Sequence, residues 1–96
     1  MFVPRDQVIK VAIVSEIAQM ESESGVYIVK MFFDDVPEVF HVELNGPKVS
    51  FRVRERIFDS YKHRCPTLKG LYALMRQWHR GERRELPVNL ADVDFG

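Results

Sequence analysis

The chain has 96 residues, 46% of them hydrophobic and 29% charged, with fourteen basic and fourteen acidic side chains and a formal net charge of zero. That length and balance suit one compact domain with a single core, and they exclude the low-hydrophobicity, highly charged class of disordered chains. The neutral total hides a polarity: residues 48–84 hold eleven Lys and Arg against three acids, and this local +8 is offset by −5 over residues 1–47 and −3 over residues 85–96.

The start, Met1-Phe2-Val3-Pro4-Arg5-Asp6, lacks the charged, apolar and small-residue zones of a secretory signal. The longest apolar run that follows, Val11 to Val14, is far short of the roughly 20 residues of a membrane helix. A single cysteine, Cys65, cannot form an internal disulfide, so a cytoplasmic protein without a membrane partner is expected. Asp6 suits a helix cap before Gln7, but residues 8–14 are rich in β-branched side chains and apolar all round, which predicts a first strand there. The polar stretch Glu21-Ser22-Glu23-Ser24-Gly25 then turns the chain into a second strand over 26–33, and Asp34-Asp35-Val36-Pro37 turns it again.

Strands three and four are expected over 38–44 and 48–53, joined by Asn45-Gly46, a pair that tolerates the positive φ values of a type I′ turn. With these two residues as the turn centre, Glu43 faces Lys48 and Val42 faces Val49. Phe40, Val42, Leu44, Val49, Phe51 and Val53 then share the core face. After Val53 the period changes to helical: Val53, Ile57, Phe58 and Tyr61 form one stripe of a helix over 54–63, with continued strand through Ile57 as the alternative. Cys65-Pro66 breaks it, Thr67 is placed to cap the next, and Leu68, Leu71, Tyr72, Met75 and Trp78 predict a helix over 68–80 ended by Gly81. Alternating apolar residues from Leu86 to Phe95 suggest an extended arm that docks on its own fold or on a neighbour. The expected fold is therefore α+β: an antiparallel meander of about four strands followed by two helices on one face, a domain over 1–85 and a C-terminal extended arm over 86–96.

The basic segment is the main functional signal. Lys69, Arg76 and Arg80 fall within roughly 40° of one another at helical spacing, and Arg83 and Arg84 extend the line past Gly81. Such a line suits an acidic protein surface or, through phosphate contacts, a nucleic acid; ordinary ion pairs with the acidic half are the alternative. Tyr72 and Trp78 on the same helix are candidate interface anchors, since Trp, Tyr and Arg carry much interface affinity. The remaining aromatics fit core positions better than a base-stacking set. Cys65 with His63, His41 or His79 would make a nucleophilic pair only if folding brought sulfur and imidazole into hydrogen-bond reach. Asp34, Asp35 and Glu38 gather carboxylates without the spacing or internal glycine of a calcium loop, and no zinc, phosphate-loop or dinucleotide pattern occurs. The sequence thus predicts no catalytic residue, cofactor or metal. It predicts a non-enzymatic protein-interaction module whose partner is another protein or a second copy, formed through the 68–80 helix, a sheet edge or the arm. Nucleic-acid binding is the second reading, and a small enzyme using Cys65 or a histidine the third and least favoured.

Overall fold

The structure, a computed structural model, describes residues 8–93; the helix cap considered at Asp6 lies outside them. Strands β1 (Ala12–Gln19), β2 (Val26–Phe33), β3 (Val36–Asn45) and β4 (Lys48–Val53) form an antiparallel meander. Helices α1 (Glu55–Lys62) and α2 (Gly70–His79) follow, separated by a 3-10 turn at Pro66–Lys69. A short β5 (Val88–Asn89) then returns to pair with β1 at Val14 and Ile13, giving a five-stranded sheet in the order β4-β3-β2-β1-β5. The chain is an α+β protein with its helices on one sheet face.

β2 and β4 lie where the alternation of the sequence predicts them. β1 starts four residues later than predicted, at Ala12, and runs on through Gln19. Before it, Val11 and Lys10 give their backbone N–H groups to the Asp34 carboxylate (3.0 and 3.4 Å), and Ile9 donates to the Arg64 carbonyl (2.8 Å), so this stretch is tied by single bonds outside the ladder. A bulge between Val14 and Glu16 moves the inward positions from Ala12 and Val14 to Ile17, which breaks the two-residue period that would have marked one continuous strand.

The β3–β4 hairpin corrects the predicted register. Asn45 faces Lys48, Leu44 faces Val49, Glu43 faces Ser50 and Val42 faces Phe51, so Gly46 and Pro47 are the central pair and Glu43 does not face Lys48. Gly46 takes φ 61, while the ring of Pro47 fixes its own φ negative. A positive-then-negative pair is the II′ pattern, in which glycine occupies the first central position. The change shifts pairing by an even number of residues and leaves Val42, Leu44, Val49 and Phe51 on the core face. A second irregularity lies at Arg52, where His41 pairs with Val53 although Val42 pairs with Phe51. That extra residue turns Val53 to the helix-free face, where it is 43% exposed and joins Phe32 and Val39. Val53 therefore leaves the predicted core stripe. Ile57 leaves it too, standing exposed on α1.

One core fills the space between sheet and helices. Tyr27, Val29, Met31 and Phe33 of β2 and Phe40, Val42 and Leu44 of β3 meet Phe58, Tyr61, Leu68, Leu71, Leu74, Met75 and Trp78. Its aromatic centre is tight: Phe33 stacks on Tyr61 at 3.9 Å, Phe51 lies 4.0 Å from Phe58, and Phe40 stands edge-on to both Phe51 and Phe58. At its border Glu38, inward on β3, accepts hydrogen bonds from the Tyr61 hydroxyl (2.6 Å) and from Arg54 (2.5 Å). Burial, then the Glu38 carboxylate, pushes the Tyr61 phenol up to about 12. Arg54 holds this contact from a left-handed backbone position (φ 64) at the start of α1. The second helix begins differently from the prediction: Cys65 precedes the 3-10 turn, Pro66 is its first residue, and Thr67 lies inside it without capping a backbone N–H.

Residues 86–93 pack on their own fold. Val88, Leu90 and Val93 are buried in the same core, Leu90 completely, and Asn89 caps a closing 3-10 turn at Leu90–Asp92 by accepting from the Ala91 N–H.

Candidate basic cleft at the end of the second helix

Folding divides the basic segment into two parts. Toward β4 and α1, acids of the N-terminal half cover it: Arg52 pairs with Glu23 and lies 3.8 Å from Glu43, and Arg54 pairs with Glu38. Within α1, Lys62 meets Asp59 at 3.7 Å. The exposed pairs among these, those of Arg52 and Lys62, contribute about 0–1 kcal/mol each, so they neutralise charge more than they stabilise. Toward the far end of α2, Arg76, Arg83 and Arg84 meet no carboxylate among the described residues, and neither do Lys48, Arg56 and Lys69.

Three residues at the end of α2 border one largely apolar cavity. Arg76, His79 and Arg80 stand at i, i+3 and i+4 on one side of the helix, because Leu71, Leu74, Met75 and Trp78 turn the other side into the core. With Gly46 and Pro47 at the β3–β4 tip, they line an open cavity of about 320 Å³. Gly81 adopts φ 93 beyond the helix, its N–H bonding the Trp78 carbonyl (3.0 Å) and that of Glu82 the Gln77 carbonyl (2.9 Å). This is a complete Schellman stop, so the last carbonyls are satisfied by backbone and the cations stay available. The negative end of the helix dipole favours positive charge at this place.

Each group is held differently. Tyr27, buried on β2, has its hydroxyl 2.9 Å from Nδ1 of His79, with the two rings edge-on at 6.0 Å. Close approach at Gly25 accompanies this contact: its φ is 81, and a Cβ there would stand 2.8 Å from the Leu44 carbonyl oxygen and 3.9 Å from Cε1 of His79. Arg80 donates from Nε to Glu82 at 2.7 Å, and its two terminal nitrogens have no partner among the described residues. Arg76 is half-buried, and its side chain has no hydrogen-bond or ion-pair partner among the described residues.

The predicted line is only partly kept together. Lys69 lies seven residues before Arg76, about 10 Å along the helix axis at 1.5 Å per residue, and stands outside the cavity. Arg83 lies over the Trp78 ring at 4.8 Å, and Trp78 itself is only 9% exposed, a core residue with one face under a guanidinium. Tyr72 sits in the seam with α1, edge-on to Phe58 at 5.9 Å and beneath Lys62. Arg84 is half-buried beyond the helix. The sequence names His79 only as a candidate partner of Cys65, although it stands three residues from Arg76 and one from Arg80. Gly46 and Pro47 are joined to them only by tertiary structure.

The other candidates are engaged in holding the fold. Cys65 is 2% exposed with Sγ 3.4 Å from the Thr67 hydroxyl, and no histidine among the described residues bonds to it. Asp34 ties down residues 10 and 11, and Glu38 is taken by Tyr61 and Arg54. Among the described residues no group of three or more His, Cys, Asp and Glu is arranged for a metal ion, and no helix is long and apolar enough to cross a membrane. A second cavity, about 260 Å³, opens on the helix-free face beside Met20, Glu23, His41, Arg52 and Val53, where the Arg52–Glu23 pair cancels the charge. The chain matches no protein-family model, no curated protein and no solved structure.

Proposed function

We propose that this chain is a non-enzymatic interaction module whose basic cleft at the end of α2 receives an acidic segment of a partner protein. The observation that carries this reading is that Arg76, His79 and Arg80 line one cavity, whereas Arg52, Arg54 and Lys62 near β4 and α1 are already paired with acids. A cavity with one wall of helix and one of hairpin turn suits a side chain inserted from a peptide, which an Arg fork can hold by paired hydrogen bonds. Nucleic acid fits less well, since a strand needs successive cations along a track and faces on which bases stack. Here Lys69 is set apart, Arg80 is shared with Glu82, and the aromatics near the cleft are packed inward. Self-association through the arm loses its support because Val88, Leu90 and Val93 spend their apolar surface at home.

Calorimetric titration with a short Glu-rich peptide and, separately, with mixed-sequence single-stranded DNA tests the proposal. The peptide is expected to bind with an affinity that falls as salt rises, and Arg76→Ala combined with Arg80→Ala to weaken it at least tenfold, since each charge-assisted bond contributes about 1.5–3 kcal/mol. Failure of the peptide to bind at low salt, or tighter binding of the DNA, would overturn the reading.

A further inference from the structure

We infer that the helix-free face of the sheet is a self-association surface, on which a second copy of this chain packs about a two-fold axis; the inference stands apart from the binding reading of the cleft. An antiparallel sheet with one wet face alternates apolar inward and polar outward residues. The outward positions here depart from that rule. Ile13 of β1 pairs with Phe32 of β2, Phe32 with Pro37 of β3, Lys30 with Val39, and His41 with Val53 of β4. Phe32 and Val39 are therefore diagonal neighbours, as are Val39 and Val53, and a diagonal of this kind spans about 7–8 Å, within reach of an aromatic ring. The result is one apolar stripe, Ile13, Phe32, Val39 and Val53, that crosses four strands, with the last three at 41%, 37% and 43% exposure.

Shape, charge and area each fit a second copy. Phe32 stands exposed toward one end of the stripe, the cavity of about 260 Å³ opens beside Val53 at the other, and Val39 lies between them. A two-fold axis near Val39 sets each Phe32 ring against the cavity of the other copy, and an isologous contact of this kind closes at two chains. The charges of the face are already met within the chain, since Lys30 lies 3.5 Å from Glu16 and Arg52 meets Glu23 and Glu43. These two cations against three acids leave one negative charge, too little to attract a nucleic acid or a highly charged peptide, or to hold two copies apart. Strands β1 to β4 have eight, eight, ten and six residues. At about 16 Å² of sheet plane per residue, from a rise of about 3.3 Å and a strand spacing of about 4.8 Å, they span about 500 Å². Two copies thus cover about 1,000 Å², the lower bound for a specific interface, before the relief of the side chains adds to it.

Sedimentation velocity of the intact chain, from micromolar to millimolar concentration and at low and high sodium chloride, is the test. A species of twice the 11.3 kDa chain mass is expected, with a dissociation constant that changes less than about threefold with salt, because apolar contact carries it. Phe32→Asp and Val53→Asp each place an unpaired charge twice in the symmetric interface and should raise that constant at least about a hundredfold. Arg76→Ala combined with Arg80→Ala, at the cleft, should leave it unchanged; far-UV circular dichroism checks that each variant is folded. Isotope-filtered NMR on a mixture of labelled and unlabelled parent chain keeps the test decisive where a variant does not fold: contacts between copies are expected from the Phe32 ring to the methyl groups of Met20 and Val53. A parent chain that stays monomeric at millimolar concentration overturns the inference. So does a dimer that survives Phe32→Asp, one that is lost in the cleft variant, or one whose contacts between copies lie away from this face.

Discussion

Leu90→Ala offers the sharpest test of how the last described residues belong to the fold. Leu90 is completely buried in a 3-10 turn that packs against β1, the Pro66–Lys69 turn and α2. The substitution deletes three carbons, worth about 2.4 kcal/mol at roughly 0.8 kcal/mol per methylene. A cavity term is added to the extent that the surrounding elements cannot collapse, giving about 2–5 kcal/mol in total. With a urea dependence near 1 kcal/mol per molar for a chain of this size, the unfolding midpoint should fall by about 2 M or more. Urea titration followed by the fluorescence of the single Trp78 measures it, with exposed Ala91→Ser as a control expected to stay within about 0.5 kcal/mol of the parent. A Leu90→Ala midpoint indistinguishable from that control would refute the argument that these residues complete the core.

Two further predictions address contacts that support the cleft and the aromatic centre. Gly25→Ala should destabilise the chain by at least about 2 kcal/mol, visible as a thermal midpoint lower by about 8 °C or more, because a side chain there meets both a positive φ of 81 and the Leu44 carbonyl oxygen at 2.8 Å. Tyr61 ionises near 12 in the folded state against 10.0 ordinarily, so its neutral form is the one the fold favours. The stability that it contributes is complete below pH 10 and is lost as pH rises toward 12; stability curves over this range should lose less in Tyr61→Phe than in the parent.

The sequence carries the fold where one physical rule dominates. β2 and β4 sit at their predicted bounds because their inward and outward residues alternate, and α2 stops at Gly81 because a left-handed residue suits that place. It misleads where a single residue resets the phase. The bulge at Ser15 hides the continuation of β1, and the extra residue at Arg52 sends Val53 to the helix-free face. The tolerance of both residues for positive φ points to a turn at Asn45-Gly46, yet the turn centres on Gly46-Pro47, where a positive φ precedes a negative one. For the cleft, helical spacing joins Arg76 to Arg80, but it also draws in Lys69, because angular phase about an axis says nothing of the distance along it. Which bases are neutralised was not legible, since Glu23, Glu38 and Glu43 reach Arg52 and Arg54 only across the sheet. The opposite wall of the cleft, Gly46 and Pro47, is thirty residues away from Arg76 in sequence and carries no mark of its role.

Amide and side-chain chemical-shift mapping by NMR tests the central claim most directly, because it reports the place of binding as well as its strength. On titration with the Glu-rich peptide, the largest shifts should fall on Gly46, Arg76, His79, Arg80 and the Arg76 and Arg80 guanidinium groups, with little change at Arg52, Arg54 or the helix-free face. Shifts centred on Phe32, Val39 and Val53, or spread evenly over all the exposed cations, would contradict it.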